Sequence, residues 1–99
     1  MSETQRPFAV IRERGSSWDL SRPMREQNGW PEHATFMDAL AEEGFIAAGG
    51  PLGDGDRVLH IVRAADEREV ERRFGEDPWG EDMLRLASVE PWTILLGSL

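Results

Sequence analysis

The order of the structural elements is decided by residues 31–63, which read PEHATFMDALAEEGFIAAGGPLGDGDRVLHIVR. Apolar residues recur at the spacing of one helix face over residues 31–43, and a glycine follows at a position that suits a helix end. Residues 45–49 and 57–63 predict two strands, and the glycine-rich residues 53–56 predict the turn that joins them. The centre of the chain is therefore a helix followed by a β-hairpin.

The flanking segments extend this unit in both directions. Residues 8–12 predict a first strand, and residues 88–96 predict a last one. Between them, Asp66 and Glu69 have the spacing of a capping box that opens a second helix over about residues 67–74. With right-handed crossovers, the order βαββαβ gives a four-stranded antiparallel sheet with two helices on one face.

Composition restricts the class of protein. Ninety-nine residues, 39% of them apolar, predict one domain over 1–99, with residues 1–6 as a flexible N-terminus. The formal net charge of −8 argues against nucleic-acid binding, since phosphate contacts need basic residues. The chain lacks cysteine and lysine, which excludes thiol and Schiff-base chemistry. The sequence carries neither an apolar leader nor a membrane-length apolar run, so we expect a cytoplasmic protein that does not contact a membrane.

The predicted strands carry apolar residues on both faces, as at positions 8–11, 58–62 and 92–96. A sheet covered on one side only should alternate between apolar and polar residues. Two helices cover one face, so the other face needs a partner. The simplest partner is a second copy of the chain, which predicts a homodimer formed sheet to sheet.

His33 and Asp77 are the candidate catalytic residues. His33 lies at the start of the first predicted helix, and imidazole can both take and give a proton near neutral pH. Asp77 precedes a proline, so it should lie just past the second helix, where its carboxylate can turn inward and orient an imidazole. We therefore predict that the two side chains meet at hydrogen-bond distance. The alternatives are a structural histidine at a helix start and an ordinary aspartate at a helix exit.

Four short motifs resemble the YciI-like (YCII-related) family: His33-Ala34-Thr35-Phe36-Met37, Gly49-Gly50-Pro51-Leu52, Asp77-Pro78-Trp79 and Pro91-Trp92. The resemblance covers about residues 7–97. It implies an α+β domain of ferredoxin-like fold that dimerises through its sheet as a dimeric α/β barrel. It also implies a site built on a histidine and an aspartate, which correspond here to His33 and Asp77.

The leading functional hypothesis is proton transfer on a small polar or aromatic metabolite, of the lyase or isomerase type. His33 would be the general base or acid and Asp77 its orienter. Arg25, Gln27, Trp30 and Trp79 are the candidate substrate-binding residues, although a solvated loop or a capped core would also explain them. The rival hypotheses are a non-catalytic metabolite-binding or accessory module, and a structural dimer whose pocket is filled by side chains.

We expect neither a metal nor a nucleotide cofactor. The two histidines do not have the spacing of metal ligands, and the glycine-rich residues 49–55 do not open a helix that could hold a phosphate. His60 alternates with valines on its strand, which predicts a lining or interface residue more than a catalyst.

Overall fold

The computed structural model describes residues 4–99 and contains the predicted βαββαβ order. The four strands form one antiparallel sheet in the order β2-β3-β1-β4, which confirms the ferredoxin-like α+β fold. The elements are β1 Arg6–Arg14, α1 Trp30–Glu42, β2 Ile46–Leu52, β3 Arg57–Ala64, α2 Glu67–Phe74 and β4 Leu84–Pro91, with a short 3-10 turn at Met24–Glu26 before α1.

Both helices pack on the same face of the sheet. Val10 of β1 and Val62 of β3 are fully buried there, together with Val70 of α2. Leu40 of α1 joins the same cluster. Each such side chain stabilises the fold by about 1.5–3 kcal/mol relative to an exposed one. This cluster fixes the positions of both helices, and hence of the residues at their ends.

The predicted helix boundaries follow from local chemistry. A proline lies in the first turn of α1, and Gly44 ends the helix with a left-handed φ of 86°. At α2, the Asp66 carboxylate accepts the Glu69 N–H at 2.9 Å, and the Glu69 carboxylate accepts the Ala65 N–H at 2.7 Å. The capping interaction predicted for Asp66 and Glu69 is therefore present.

The last strand differs from the prediction. It runs from Leu84 to Pro91, and residues 92–96 lie beyond it with Leu95 87% and Leu96 91% exposed. Trp92 still donates its N–H to the Pro7 carbonyl, but β1 begins at Arg6, so the ladder has no partner strand left to continue on. The apolar character of residues 92–96 suggested a strand that the sheet is too short to accept.

Two further predictions concern the limits of the chain. The segment 1–6 predicted to be flexible overlaps β1 at Arg6, and residues 1–3 lie outside the described residues. Over residues 4–99, none of the helices is both long and apolar enough to cross a membrane.

The second face of the sheet carries no helix among the described residues. Ala9 and Ile11 of β1 and Leu59 of β3 are half-buried on this face, and Ile61 beside them is buried. We call these four residues the outer face. It is the face on which the sequence predicts a second copy.

Candidate functional site

His33 and Asp77 meet, as predicted. The Nδ1 atom of His33 lies 2.9 Å from each carboxylate oxygen of Asp77. His33 is in the first turn of α1. Asp77 lies in the turn that follows α2, where its backbone N–H donates to the Phe74 carbonyl. The common packing of both helices on one face of the sheet brings these two ends together.

Asp77 is held by more than the histidine. Its Oδ2 accepts a hydrogen bond from Nη1 of Arg12 at 2.8 Å. Its Oδ1 accepts a hydrogen bond from the backbone N–H of Trp79, two residues along the chain, also at 2.8 Å. The carboxylate side chain is completely inaccessible to solvent. A buried carboxylate is tolerated only when donors satisfy it, and here three different residues do so.

These donors also determine the charge of the site. Burial acts to raise the pKa of Asp77, but the hydrogen bonds from His33, from Arg12 and from the Trp79 N–H outweigh it, so that the pKa lies below its ordinary value. Asp77 is therefore an anion at neutral pH and can only accept hydrogen bonds. It follows that His33 donates through Nδ1–H to Asp77, so that Nε2 is the ring nitrogen not used in this contact.

Sequence reasoning missed Arg12. This residue is buried near the end of β1, donates Nη2–H to the Leu84 carbonyl at 3.1 Å, and places its guanidinium 5.2 Å from the centre of the Phe74 ring. The signal was available, since Phe8, Val10 and Arg12 alternate on one face of the strand. An arginine on a core face needs a buried acid, and Asp77 is that acid.

The ring of His33 lies against aromatic side chains. It stacks on Trp79 with ring centres 3.9 Å apart and an angle of 13° between planes, and Trp30 lies 5.7 Å away at a tilt. The His33 side chain is 7% exposed, and within residues 4–99 its Nε2 makes no hydrogen bond and is not fully enclosed. Nε2 is thus the ring nitrogen that the described residues leave without a hydrogen-bond partner.

The other candidate substrate-binding residues lie in different environments. Trp79 is buried, and its indole N–H donates a hydrogen bond to the Asn28 carbonyl at 2.8 Å. Trp30 is half-buried, and Arg25 is exposed. Gln27 is buried, and its amide is used within the loop: it accepts the Asp19 N–H and donates to the Asp19 and Arg22 carbonyls. Gln27 therefore holds the loop shape, and its role toward a substrate stays a prediction.

His60 lies inside the core face, close to Phe74 at 5.2 Å between ring centres. Both of its ring nitrogens are enclosed and lack a hydrogen-bond partner within residues 4–99. Burial, reinforced by the positive charge of Arg12 and by His33, lowers the pKa of His60 to about 3. The ring is consequently neutral at physiological pH.

Two cavities of about 120 Å³ each touch Trp79 and Leu84. The first also reaches Arg12, and the second extends under the loop that carries Trp18. His33 lines neither of them. Its imidazole therefore does not border either cavity.

Metal ligation has no support in the described part of the chain, where no three histidine, aspartate or glutamate side chains cluster closely enough to hold an ion. Comparison with protein families, with curated proteins and with solved structures finds no match for this chain. What the site does is therefore inferred from its own geometry.

Proposed function

We propose that this chain is a YciI-like domain that catalyses proton transfer on a small metabolite, with His33 as the general base or acid and Asp77 as its orienter. One observation carries the proposal. A fully buried, ionised carboxylate holds Nδ1 of His33 at 2.9 Å, while Nε2 on the other side of the ring is left open. This arrangement fixes the tautomer that a general base needs.

The geometry supports a defined sequence of events. Nε2 of His33 takes a proton from the substrate, and the ring becomes an imidazolium with both nitrogens protonated. Asp77 stabilises that cation without itself being protonated, because Arg12 and the Trp79 N–H keep its charge in place. The proton on Nε2 then returns to another atom of the substrate, which is an isomerisation, or to a leaving group, which is an elimination.

The surroundings of Nε2 favour a flat substrate. Trp30 is half-buried next to the imidazole, and its indole can stack on a small aromatic or conjugated polar compound. Arg25 is exposed in the short 3-10 turn that precedes α1, and it can pair with a carboxylate or phenolate. These contacts would position a substrate whose acidic proton faces His33.

A second candidate function is non-catalytic binding of a metabolite. It is favoured by the close stacking of His33 on Trp79 and by the absence of His33 from the lining of both cavities beside that tryptophan. In that case Nε2 would serve only as a hydrogen-bond partner for a bound molecule.

The two functions differ in proton exchange, which can be measured directly. The protein is incubated in heavy water with pools of small keto acids, unsaturated acids and phenols, and deuterium incorporation is followed by mass spectrometry. Catalysis predicts incorporation into one compound by the wild type and by Asp56→Asn, a control at an exposed ion pair, but not by His33→Gln. Binding without exchange, detected as a shift in melting temperature, would support the second function instead.

We further propose that the chain works as a homodimer joined through the outer face. The half-buried Ala9, Ile11 and Leu59 support this proposal, since apolar residues on a helix-free sheet face are stabilised when a partner removes them from water. The family resemblance implies the same arrangement.

A further inference from the structure

A second cavity lies on the helix side of the sheet, at the end that α1 and α2 leave uncovered. Its volume is about 120 Å³, and the loop between β1 and α1 roofs it. The lining includes the side chains of Arg14, Trp18, Met24, Val58, Trp79 and Leu84, and Pro51 of β2 and Gly55 of the following turn complete it. This cavity is separate from the contact between His33 and Asp77.

The walls of the cavity are almost entirely apolar. Trp18 and Trp79 meet edge to face with ring centres 5.4 Å apart, and Leu84 is buried beside them. Val58 and Met24 pack against the same cluster. An apolar cavity accepts apolar molecules, and one of about 150 Å³ holds a benzene ring. The space here is therefore suited to a single six-membered ring.

Among the residues that the structure describes, Arg14 is the one charged residue in this lining. Its guanidinium carbon lies 5.0 Å from the centre of the Trp18 ring, and its Nε is enclosed without a hydrogen-bond partner within residues 4–99. Its Nη1 contacts Asp56, whose side chain is 66% exposed, so that this ion pair is weak and can be exchanged for another anion. The cavity thus combines aromatic walls with an available cation.

We propose that this cavity is a binding site for a small aromatic carboxylate. The ring would occupy the space that Trp18 and Trp79 line together with Val58, and the carboxylate would replace Asp56 on the guanidinium of Arg14. Arginine recognises a carboxylate through two parallel N–H donors, whereas the neutral amide of the same shape offers it only one acceptor oxygen. Charge is therefore expected to decide which ring compounds bind.

This cavity is a different site from the one proposed for proton transfer, because a ligand bound in it would not contact the imidazole of His33. Trp79 stacks on His33 and also lines the cavity, so the indole is shared by the two sites. A molecule bound in the cavity contacts the indole, and the indole contacts the imidazole. Ligand binding here does not require His33.

The test uses para-fluorobenzoate as the probe, observed by fluorine NMR, with para-fluorobenzamide as its neutral counterpart. The wild type is expected to bind the benzoate at least about tenfold more tightly than the benzamide, as a charge-assisted pair predicts. Arg14→Met should remove that preference while leaving weak binding of the benzamide. Val58→Phe should abolish binding of both probes, because the larger ring fills the cavity. His33→Gln should bind the benzoate like the wild type.

Several results would overturn the proposal. These are failure of the benzoate to saturate at millimolar concentration, equal affinity for the two probes, or an unchanged preference in Arg14→Met. Amide chemical shifts of the wild type add a check that depends on no variant: perturbations centred away from Trp18 and Trp79 would place the ligand elsewhere. Loss of benzoate binding in His33→Gln would also contradict a separate site. A failure of proton exchange at His33 leaves every one of these outcomes unaffected.

Discussion

At the scale of single residues, the Asp77 carboxylate has the most demanding position in the molecule. It is completely buried and accepts hydrogen bonds from Arg12, His33 and the Trp79 N–H. A buried charge that is fully satisfied adds little net stability, but removing one partner leaves the others uncompensated. The same contacts that position His33 therefore make the site sensitive to substitution.

Asp77→Asn is expected to lower the free energy of unfolding by about 3 kcal/mol, because it leaves the buried guanidinium of Arg12 without its counter-charge. Urea denaturation measures the change. The matched control is Asp56→Asn, which removes an aspartate from an exposed pair with Arg14 and should cost less than about 1 kcal/mol. Similar losses for the two variants would contradict the assigned role of Asp77.

His60 predicts how stability depends on pH. In the unfolded chain the imidazole titrates near pH 6.5, whereas in the folded protein its pKa is about 3. As the pH falls below 6.5, the unfolded chain takes up the proton first, so stability is full above that pH and is lost progressively towards pH 3. Stability is lost because the buried ring of His60 stays neutral in the folded protein until the pH approaches 3, whereas the unfolded chain is already protonated.

The wild type should lose on the order of 2 kcal/mol of unfolding free energy through His60 between about pH 6 and pH 4. His60→Leu should lack this part of the pH dependence. Urea denaturation of both proteins across this range provides the measurement, and the carboxylates common to both cancel in the difference. Parallel curves for the two proteins would show that His60 is not the titrating group.

At the scale of the elements, the edge strand β2 is shaped by its contact with His60. A Cβ placed on Gly49 would lie 2.8 Å from Nδ1 of His60, whereas a Cβ on the neighbouring Gly50 would meet nothing within 4 Å. The core-facing glycine therefore makes room for the buried ring, and its neighbour on the opposite face does not have this constraint.

This contrast makes adjacent positions a matched pair. Gly49→Ala should destabilise the fold by about 1–3 kcal/mol through overpacking against the imidazole. Gly50→Ala should be neutral or stabilising by up to about 1 kcal/mol, since alanine restricts the unfolded chain more than glycine does. Thermal unfolding of both variants decides the matter, and equal effects would mean that His60 yields to the added methyl group.

At the scale of the whole molecule, α1 and α2 cover one face of the sheet, whereas the outer face carries half-buried apolar residues and no helix from residues 4–99. The proposed dimer would bury that face. A charged side chain introduced on the outer face would be buried against apolar groups of the partner. It would therefore destabilise the dimer, whereas in a monomer the charge stays in water.

Sedimentation equilibrium at micromolar concentration should therefore give a dimer for the wild type and a monomer for Ile11→Glu. Leu20→Glu, at a loop position that is 83% exposed, is the control and should remain dimeric. A wild-type monomer, or a dimer that persists in Ile11→Glu, would rule out association through the outer face.

Local sequence patterns predicted the order of the elements, and together with the family resemblance they predicted the contact between His33 and Asp77. Helical spacing, glycine turns and the capping pair at Asp66 are local signals, and the βαββαβ order leaves few topologies. The contact followed because that topology brings the helix ends together over one face of the sheet. The boundary of β4 was wrong by several residues, since strand length depends on where the partner strand β1 begins.

The other residues of the site are brought in by tertiary packing. Arg12 and His60 lie on different strands. Packing placed Arg12 on Asp77 and, within residues 4–99, left the ring nitrogens of His60 without a hydrogen-bond partner. Packing also stacked Trp79 on His33 and formed the cavity that Trp18 and Trp79 both line. These contacts join residues far apart in the chain, and a local pattern shows at most that Arg12 faces the core, not which acid it meets. They depend on how side-chain volumes and charges fit once the backbone has closed around them.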